Sequence, residues 1–413
     1  MFHSSFTCNS LIIHDLFKLA VLRLKYAKSR GNDLFITSLK DFFGVDRSKL
    51  FLFGAARMGL YSLLKTLKNN TEEDEVIVAG FTCVVVTNAI KFAGFRAVYV
   101  DVNENTLNIS TEKIKEAVTG KTRAIIVTHN FGVVYENIDE IKKLYPDIVI
   151  IEDAAHTFSS TDNRGRKVGL IGDASFFSFE YSKPLTTGMG GLLIVNEPKL
   201  AIRLKNYYET LPEYGAKVKL RIFKTLAIHL ITSGYFAFLK GAFIRILKIM
   251  GLLFRTDAAE MYGEMPDHYP VKMSGLFALI GFIQMKKIDK ISELKSKIVA
   301  DYQRHVGEIA NIKTYYEKDF NYVRYPILFE KHVSAEVIAN IRAELSSHKV
   351  MVGVWFNDVV HPRGSYRYCY NEGQCPVGES VSKRIINLPV NVNCIPSVKQ
   401  LETIKEILSK NLE

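Results

Sequence analysis

The sequence predicts an α/β fold: a mostly parallel central sheet covered by helices, followed by a smaller C-terminal α+β domain. Three observations predict it. In the first half, short apolar runs alternate with stretches of helical period, which is the pattern of βα units whose strands are buried on both faces. One such run, 148–151, ends in two acids, Glu152 and Asp153, and the carboxyl ends of buried strands are where α/β sheets bind ligands. From about Asn311 the remainder reads as shorter, mixed elements.

Taken in order, residues 58–67 have helical spacing after Gly54, 76–78 are a short apolar run, and 84–92 read as a helix. Residues 97–100 are a strand ending at Asp101, 111–118 a helix, and 124–128 a strand. A helix over 138–144 stops before Pro146, as proline disfavours helix in the residue before it. Residues 175–179 and 192–195 give two more strands around a glycine-rich turn. Composition then changes. Between 216 and 256 there is no acid, while Lys217, Lys219, Arg221, Lys224, Lys240, Arg245, Lys248 and Arg255 are basic. Helical patterning resumes at Met273 and runs to about His305. The expected division is an N-terminal segment and large domain over 1–215, a basic apolar helical insertion over 216–256, connecting helices over 257–310 and a small domain over 311–413.

A chain of 413 residues is long for one core, in line with two domains. A formal net charge of +11 favours acidic partners. Zinc-finger spacing and basic blocks interleaved with aromatics are absent from the sequence, so nucleic acid is not an expected partner. The five cysteines are scattered without C-x-x-C spacing, which argues against a disulfide framework or a zinc site and fits a reducing cytoplasm. The apolar run near the N-terminus is broken by His14, Asp15 and Lys18, so it does not read as a signal peptide.

Three segments carry chemistry. In Ile150-Ile-Glu-Asp-Ala-Ala-His156 a buried strand ends in Asp153, with His156 three residues on. An Asp there can keep a pyridine nitrogen protonated and make a cofactor ring an electron sink, or it can simply cap the next helix. Lys183 lies between an aromatic strand and a loop holding Gly188, Gly190 and Gly191, five residues after Ser178. A desolvated lysine amine can attack an aldehyde; a solvated loop lysine does nothing of the kind. Finally, Phe53-Gly-Ala-Ala-Arg-Met-Gly-Leu60 is a small-residue turn entering a helix, where backbone N–H groups can bind phosphate.

Together, and in this order, these segments resemble the DegT/DnrJ/StrS family of sugar aminotransferases, which has the fold-type-I pyridoxal-phosphate architecture. The matching stretches are 54–60, 79–89, 98–101, 125–130, 152–156, 178–183 and 188–191, then 272–281 with Gln284, and finally 375–379 and 387–389. The resemblance covers most of the chain except the first forty residues or so and 217–256.

The resemblance implies pyridoxal 5′-phosphate as cofactor, held by Lys183 as a Schiff base. Asp153 would meet the ring nitrogen, and His156 would lie beside the ring near its hydroxyl. Ser178 and the amides of Ala56 and Arg57 would hold the phosphate, and Thr82 and Cys83 would line one face. It also implies transfer of an amino group from an amino acid, glutamate by expectation, to a nucleotide-linked keto sugar for glycan synthesis, by a homodimer with shared sites. Lys272 is the candidate to reach the neighbour's phosphate. Cys83 stands where the family often has an aromatic, and Pro270 and Lys272 stand where it commonly has Asn-x-Arg. Some relatives run other sugar reactions on this cofactor, but they usually replace the lysine with histidine; Lys183 argues against that. The other alternative is a membrane-surface or regulatory protein that keeps the fold without turnover. The acid-free 216–256 segment suits helices lying on an anionic membrane, peripheral to its inner face, or packing into the enzyme's own core.

Overall fold

The computed structural model describes residues 10–25, 30–68, 74–231, 258–317 and 320–413. In its first half the strands are β1 (Leu50–Phe53), β2 (Glu75–Ala79), β3 (Thr82–Cys83), β4 (Arg96–Val100), β5 (Thr122–Thr128), β6 (Val149–Asp153), β7 (Ala174–Ser178) and β8 (Gly191–Val195). Seven of them form one sheet in the order β1-β8-β7-β6-β5-β2-β4. The run from β4 to β7 is parallel. Only β8 runs against its neighbours, because the chain returns from β7 through the Lys183 loop without the crossover that a parallel strand needs. Every residue of β1, β2 and β8 is buried. That is why these strands read as continuous apolar runs rather than alternating ones.

The expected helices at 84–92 and 138–144 have those bounds, and the one expected from residue 58 starts two residues earlier, as Ala56–Leu67. The run from Met273 is helical, as expected. It divides into Gly275–Met285 and Ile288–Val306 at Lys286 and Lys287. Two N-terminal helices, Ile13–Lys25 and Arg30–Phe43, precede the sheet. The second packs against Gly275–Met285. A Cβ on Gly31 would lie 2.2 Å from the carbonyl oxygen of Gly275, and one on Gly281 would meet the Phe35 ring at 2.4 Å. Glycine at both positions thus lets the helices touch closely, with Phe35 and Leu39 fully buried. Replacing Phe35 with Ala should therefore cost about 3–5 kcal/mol, read as a lower midpoint in denaturant unfolding.

The acid-free segment begins as the helix Ala216–Ile231. Ile222, Thr225 and Leu226 are buried, and Tyr181 Oη donates to the Ile222 carbonyl at 3.2 Å. Lys217, Arg221 and Lys224 are exposed. This first part therefore packs one face on the enzyme and turns a basic face outward. The rest of the expected insertion, 232–256, lies outside the described residues. Among the described residues no helix is long and apolar enough to cross a membrane.

Beyond Asn311 the strands are β9 (Ile312–Thr314), β10 (Arg324–Phe329), β11 (Val360–His361) and β12 (Ile385–Pro389). β12, β10 and β9 form an antiparallel sheet in that order, accompanied by helices Ala335–Ser347 and Val398–Leu412. β11 instead pairs in parallel with β3, setting Val360 beside Thr82 and His361 beside Cys83. This short ladder brings the C-terminal part of the chain to the edge of the site.

Candidate active site

Successive side chains of a strand point to opposite faces, and the two acids ending β6 divide accordingly. Glu152 is fully buried and accepts the N–H groups of Gly169, Ile171 and Gly172 at 2.8, 2.8 and 2.6 Å. It also meets His129 Nε2 at 3.2 Å. The Tyr135 N–H bonds Nδ1 of that ring, so Nε2 carries the proton and donates to Glu152. This pair ties loops together. Asp153 takes the other face. Its Oδ1 accepts the Ala155 N–H at 3.1 Å, closing a turn rather than capping a helix. Burial pushes its pKa up to about 6, against the pull of Lys183 and His129. His156 Nδ1 accepts the Phe131 N–H at 3.1 Å, which leaves the proton on Nε2. Burial, with Lys183, Arg324 and His361 nearby, holds its pKa well below the usual histidine range.

Lys183 lies in the return loop between β7 and β8. The loop is closed by Phe179 N–H to Gly190 O at 2.9 Å and Thr187 N–H to Phe179 O at 2.9 Å, with Gly188 at a φ of +84°. Lys183 Nζ lies 4.5 Å from the centre of the Trp355 ring. Burial draws its pKa below the ordinary lysine value, opposed by Glu180 and Asp153 and reinforced by Arg324. A lysine in this setting has a larger share of neutral, nucleophilic amine.

The helix Ala56–Leu67 begins against β8. A Cβ on Gly191 would fall 2.3 Å from the Ala56 nitrogen, so only glycine allows the approach. Ser178 is the register partner of Gly191, and the cap residue Ala55 offers no side-chain acceptor. Ser178 and the first amides of this helix therefore meet at one point, with the positive end of the helix facing it. The Arg57 guanidinium is not offered to a ligand here. Its Nε and Nη2 bond the two oxygens of buried Glu260 at 2.6 and 2.7 Å, so the guanidinium is engaged within the chain.

Thr82 is buried, and the half-buried Cys83 feels the charges of Lys183, Asp153 and Arg57, which sets it among them; burial raises its thiol pKa. Lys272 stands apart from this group within the chain. It bridges to Phe53 at the open edge of β1, and its Nζ donates to the Glu209 carbonyl at 2.9 Å. Three residues that sequence reasoning did not single out join the site from the C-terminal part. The Trp355 ring stacks on His156 at 5.2 Å and 13°. The Arg324 guanidinium carbon lies 3.3 Å from the centre of the same indole. His361, beside Cys83, has its pKa lowered to about 4 by burial, Arg324 and Lys183. The only signal was that Trp355 is the single tryptophan of the chain.

The donor set suits pyridoxal 5′-phosphate. A buried amine, a buried carboxylate at a strand end, and a helix N-terminus with a serine match an aldehyde, a ring nitrogen and a phosphate. The seat against Gly191, which a methyl group would obstruct, holds that helix start in position. Comparison with known proteins agrees. The DegT/DnrJ/EryC1/StrS aminotransferase family model matches residues 26–407. A GDP-perosamine synthase of Vibrio cholerae is 25% identical over 379 residues, covering 88% of this chain and 87% of that protein. The spore coat polysaccharide biosynthesis protein SpsC of Bacillus subtilis is 27% identical over 324 residues, covering 77% and 74%. In fold, the chain is similar to the E. coli GDP-4-keto-6-deoxy-D-mannose-3-dehydratase solved with bound hydrated PLP, with a TM-score of 0.72, 17% identity and coverage of 99% and 100%. The chain belongs to the DegT/DnrJ/EryC1/StrS aminotransferase family, and its cofactor is pyridoxal 5′-phosphate.

Proposed function

We propose that this aminotransferase moves the amino group of glutamate to a keto sugar carried on a nucleotide, supplying an amino sugar for polysaccharide assembly. The observation that carries the reading is the convergence of Lys183, Asp153 and the Ser178–Ala56 corner at the carboxyl end of the sheet. Likeness to a GDP-perosamine synthase and to a polysaccharide biosynthesis protein supports the acceptor class.

In this reading Lys183 would hold the cofactor's aldehyde carbon until the donor's amine replaces it there, and the Nζ so released would take the proton from the donor's Cα and, in the second half, deliver one to the acceptor carbon. The cofactor, when bound, supplies an electron sink for the pair left at that carbon. Asp153 holds the proton on the ring nitrogen. His156, neutral, presents its Nε2–H beside the ring. Ser178 Oγ and the Ala56 and Arg57 amides hold the phosphate, and Thr82 and Cys83 line one face of the ring. The test is incubation with isotopically labelled glutamate and a panel of nucleotide-linked keto sugars. Label should appear in one sugar product; no transfer to any of them, with no change in the visible spectrum on adding glutamate, would sink the proposal.

Two finer points belong to the same reading. The working unit is a homodimer in which Lys272 leaves the Glu209 carbonyl for the neighbour's cofactor phosphate. Sedimentation should give a dimer, and a fully active monomer would contradict it. The acid-free 216–256 segment meets an anionic membrane surface. Its exposed Lys217, Arg221 and Lys224 support this, each worth on the order of 1 kcal/mol near such a surface. Binding to phosphatidylserine vesicles should fall as salt rises, and protein that stays in the supernatant at low salt would refute it.

A further inference from the structure

Thr128 ends β5 on the face of the sheet that carries Asp153. The two residues are register partners in the parallel pair of β5 with β6, and the His129 N–H donates to the Asp153 carbonyl at 3.2 Å. Register partners project their side chains to the same face. Behind them on that face, Ala124, Ile126 and Ile151 lie buried in one apolar cluster. Thr128 is 4% exposed, and its Oγ1 is buried without a hydrogen-bond partner. A buried hydroxyl with no partner bears its desolvation cost uncompensated. Buried polar groups of native folds are almost always paired, so this donor is a spare one.

The carboxylate beside it has room for a donor. Among the described residues Asp153 accepts one hydrogen bond, from the Ala155 N–H to Oδ1 at 3.1 Å, and an ionised carboxylate has about four acceptor positions. The other titratable groups near it are Lys183 from the loop after β7, Cys83 from β3 and His129 from the end of β5. None of them gives it a hydrogen bond. Neighbouring strands lie about 4.8 Å apart, so a hydroxyl and a carboxylate on register partners are one side-chain rotation from hydrogen-bond length.

Resting on the reading that Asp153 holds a proton on the cofactor's ring nitrogen, we infer that Thr128 is a positioning residue whose Oγ1–H donates to the Asp153 carboxylate and keeps it the weaker base of that pair. A hydrogen bond to the charged form of a carboxyl group favours that form. The proton between carboxylate and pyridine nitrogen then stays on the nitrogen, where it makes the ring an electron sink. Burial alone works the other way: it favours the neutral carboxyl and leaves the ring nitrogen bare.

The test uses the holoenzyme with Thr128→Val, which keeps the shape and removes the hydroxyl, and Thr128→Ser, which keeps the hydroxyl. The enzyme is loaded with pyridoxal phosphate carrying an isotopic label at the ring nitrogen, and that nitrogen is read by magnetic resonance. Its signal should move toward the unprotonated position in Thr128→Val and stay in place in Thr128→Ser; this readout needs no turnover. The half-reaction with glutamate should slow about 10-fold in Thr128→Val, while the half-saturating glutamate concentration stays within about two-fold of wild type. In an Asp153→Ala background Thr128→Val should add less than about two-fold, because the acceptor it serves is gone.

A folded Thr128→Val with the wild-type signal and rate overturns the inference. So does a slowing shared by Thr128→Ser, or one that persists undiminished in the Asp153→Ala background, since either puts the effect in packing or on the ring itself. Should Thr128→Val fail to fold, as judged by its melting temperature, Thr128→Ala is read in its place. An Asp153→Ala enzyme whose ring-nitrogen signal is unaltered defeats the underlying reading of Asp153, and the inference with it.

Discussion

Lys183→Ala should lose the visible absorption of the lysine-bound cofactor and at least about 1,000-fold of the transfer rate. The size of the effect comes from two roles on one amine. The same Nζ holds the aldehyde carbon and moves the proton, so removing it deletes both. The fold should survive, because the loop around Lys183 is closed by backbone bonds of Phe179, Thr187 and Gly190. Cofactor phosphate binding should also persist, since Ser178 and the Ala56 helix start are separate groups. Absorbance spectra and single-turnover rates would check this, and near-normal turnover in the variant would end the mechanism.

Asp153→Ala should slow transfer about 100- to 1,000-fold, the usual cost of removing a group aimed at charge that develops during reaction, while the phosphate still binds. A second readout needs no turnover. Without cofactor, the Asp153 carboxyl has a pKa raised to about 6 by burial, above its unfolded value of about 3.9. A raised pKa means that its contribution to stability is fully present below the unfolded value and is lost as pH rises through the folded one. At neutral pH the cofactor-free protein is therefore weakened by up to about 3 kcal/mol. Asp153→Asn removes that penalty, so it should gain on wild type as pH goes from acid to neutral. Denaturant unfolding across that range measures the difference, and parallel curves for the two proteins would show that the carboxylate is not desolvated.

Much of the site is legible in the sequence because its parts are local. Asp153 and His156 are three residues apart on one strand end, and Ser178, Lys183 and Gly191 fall within one strand-loop-strand unit. The parts that were not legible are those assembled across long separations. Arg324 and Trp355 reach Lys183 only because β10 and β12 pair and β11 joins β3. Nothing in the spacing around Arg57 foretold that Glu260 would take its guanidinium. β1 was missed because a four-residue strand has no period to read. Within the run from Met273 the helical patterning is legible, but the break at Lys286 and Lys287 is not, because the patterning continues across it.

The close seating of the Arg30–Phe43 helix on Gly275–Met285 has a consequence for the chain as it is made. The first helix emerges from the ribosome about 230 residues before its partner. At a synthesis rate of about 5–20 residues per second, Phe35, Leu39 and Phe43 wait for on the order of ten seconds or more for that helix, although Phe158, Phe177 and Phe179, which meet Phe35 and Phe43 from the other side, arrive sooner. During that interval they form an apolar stripe suited to a holding chaperone. Slow translation should favour aggregation of this protein, and shortening the wait by moving that helix to the C-terminus should relieve it.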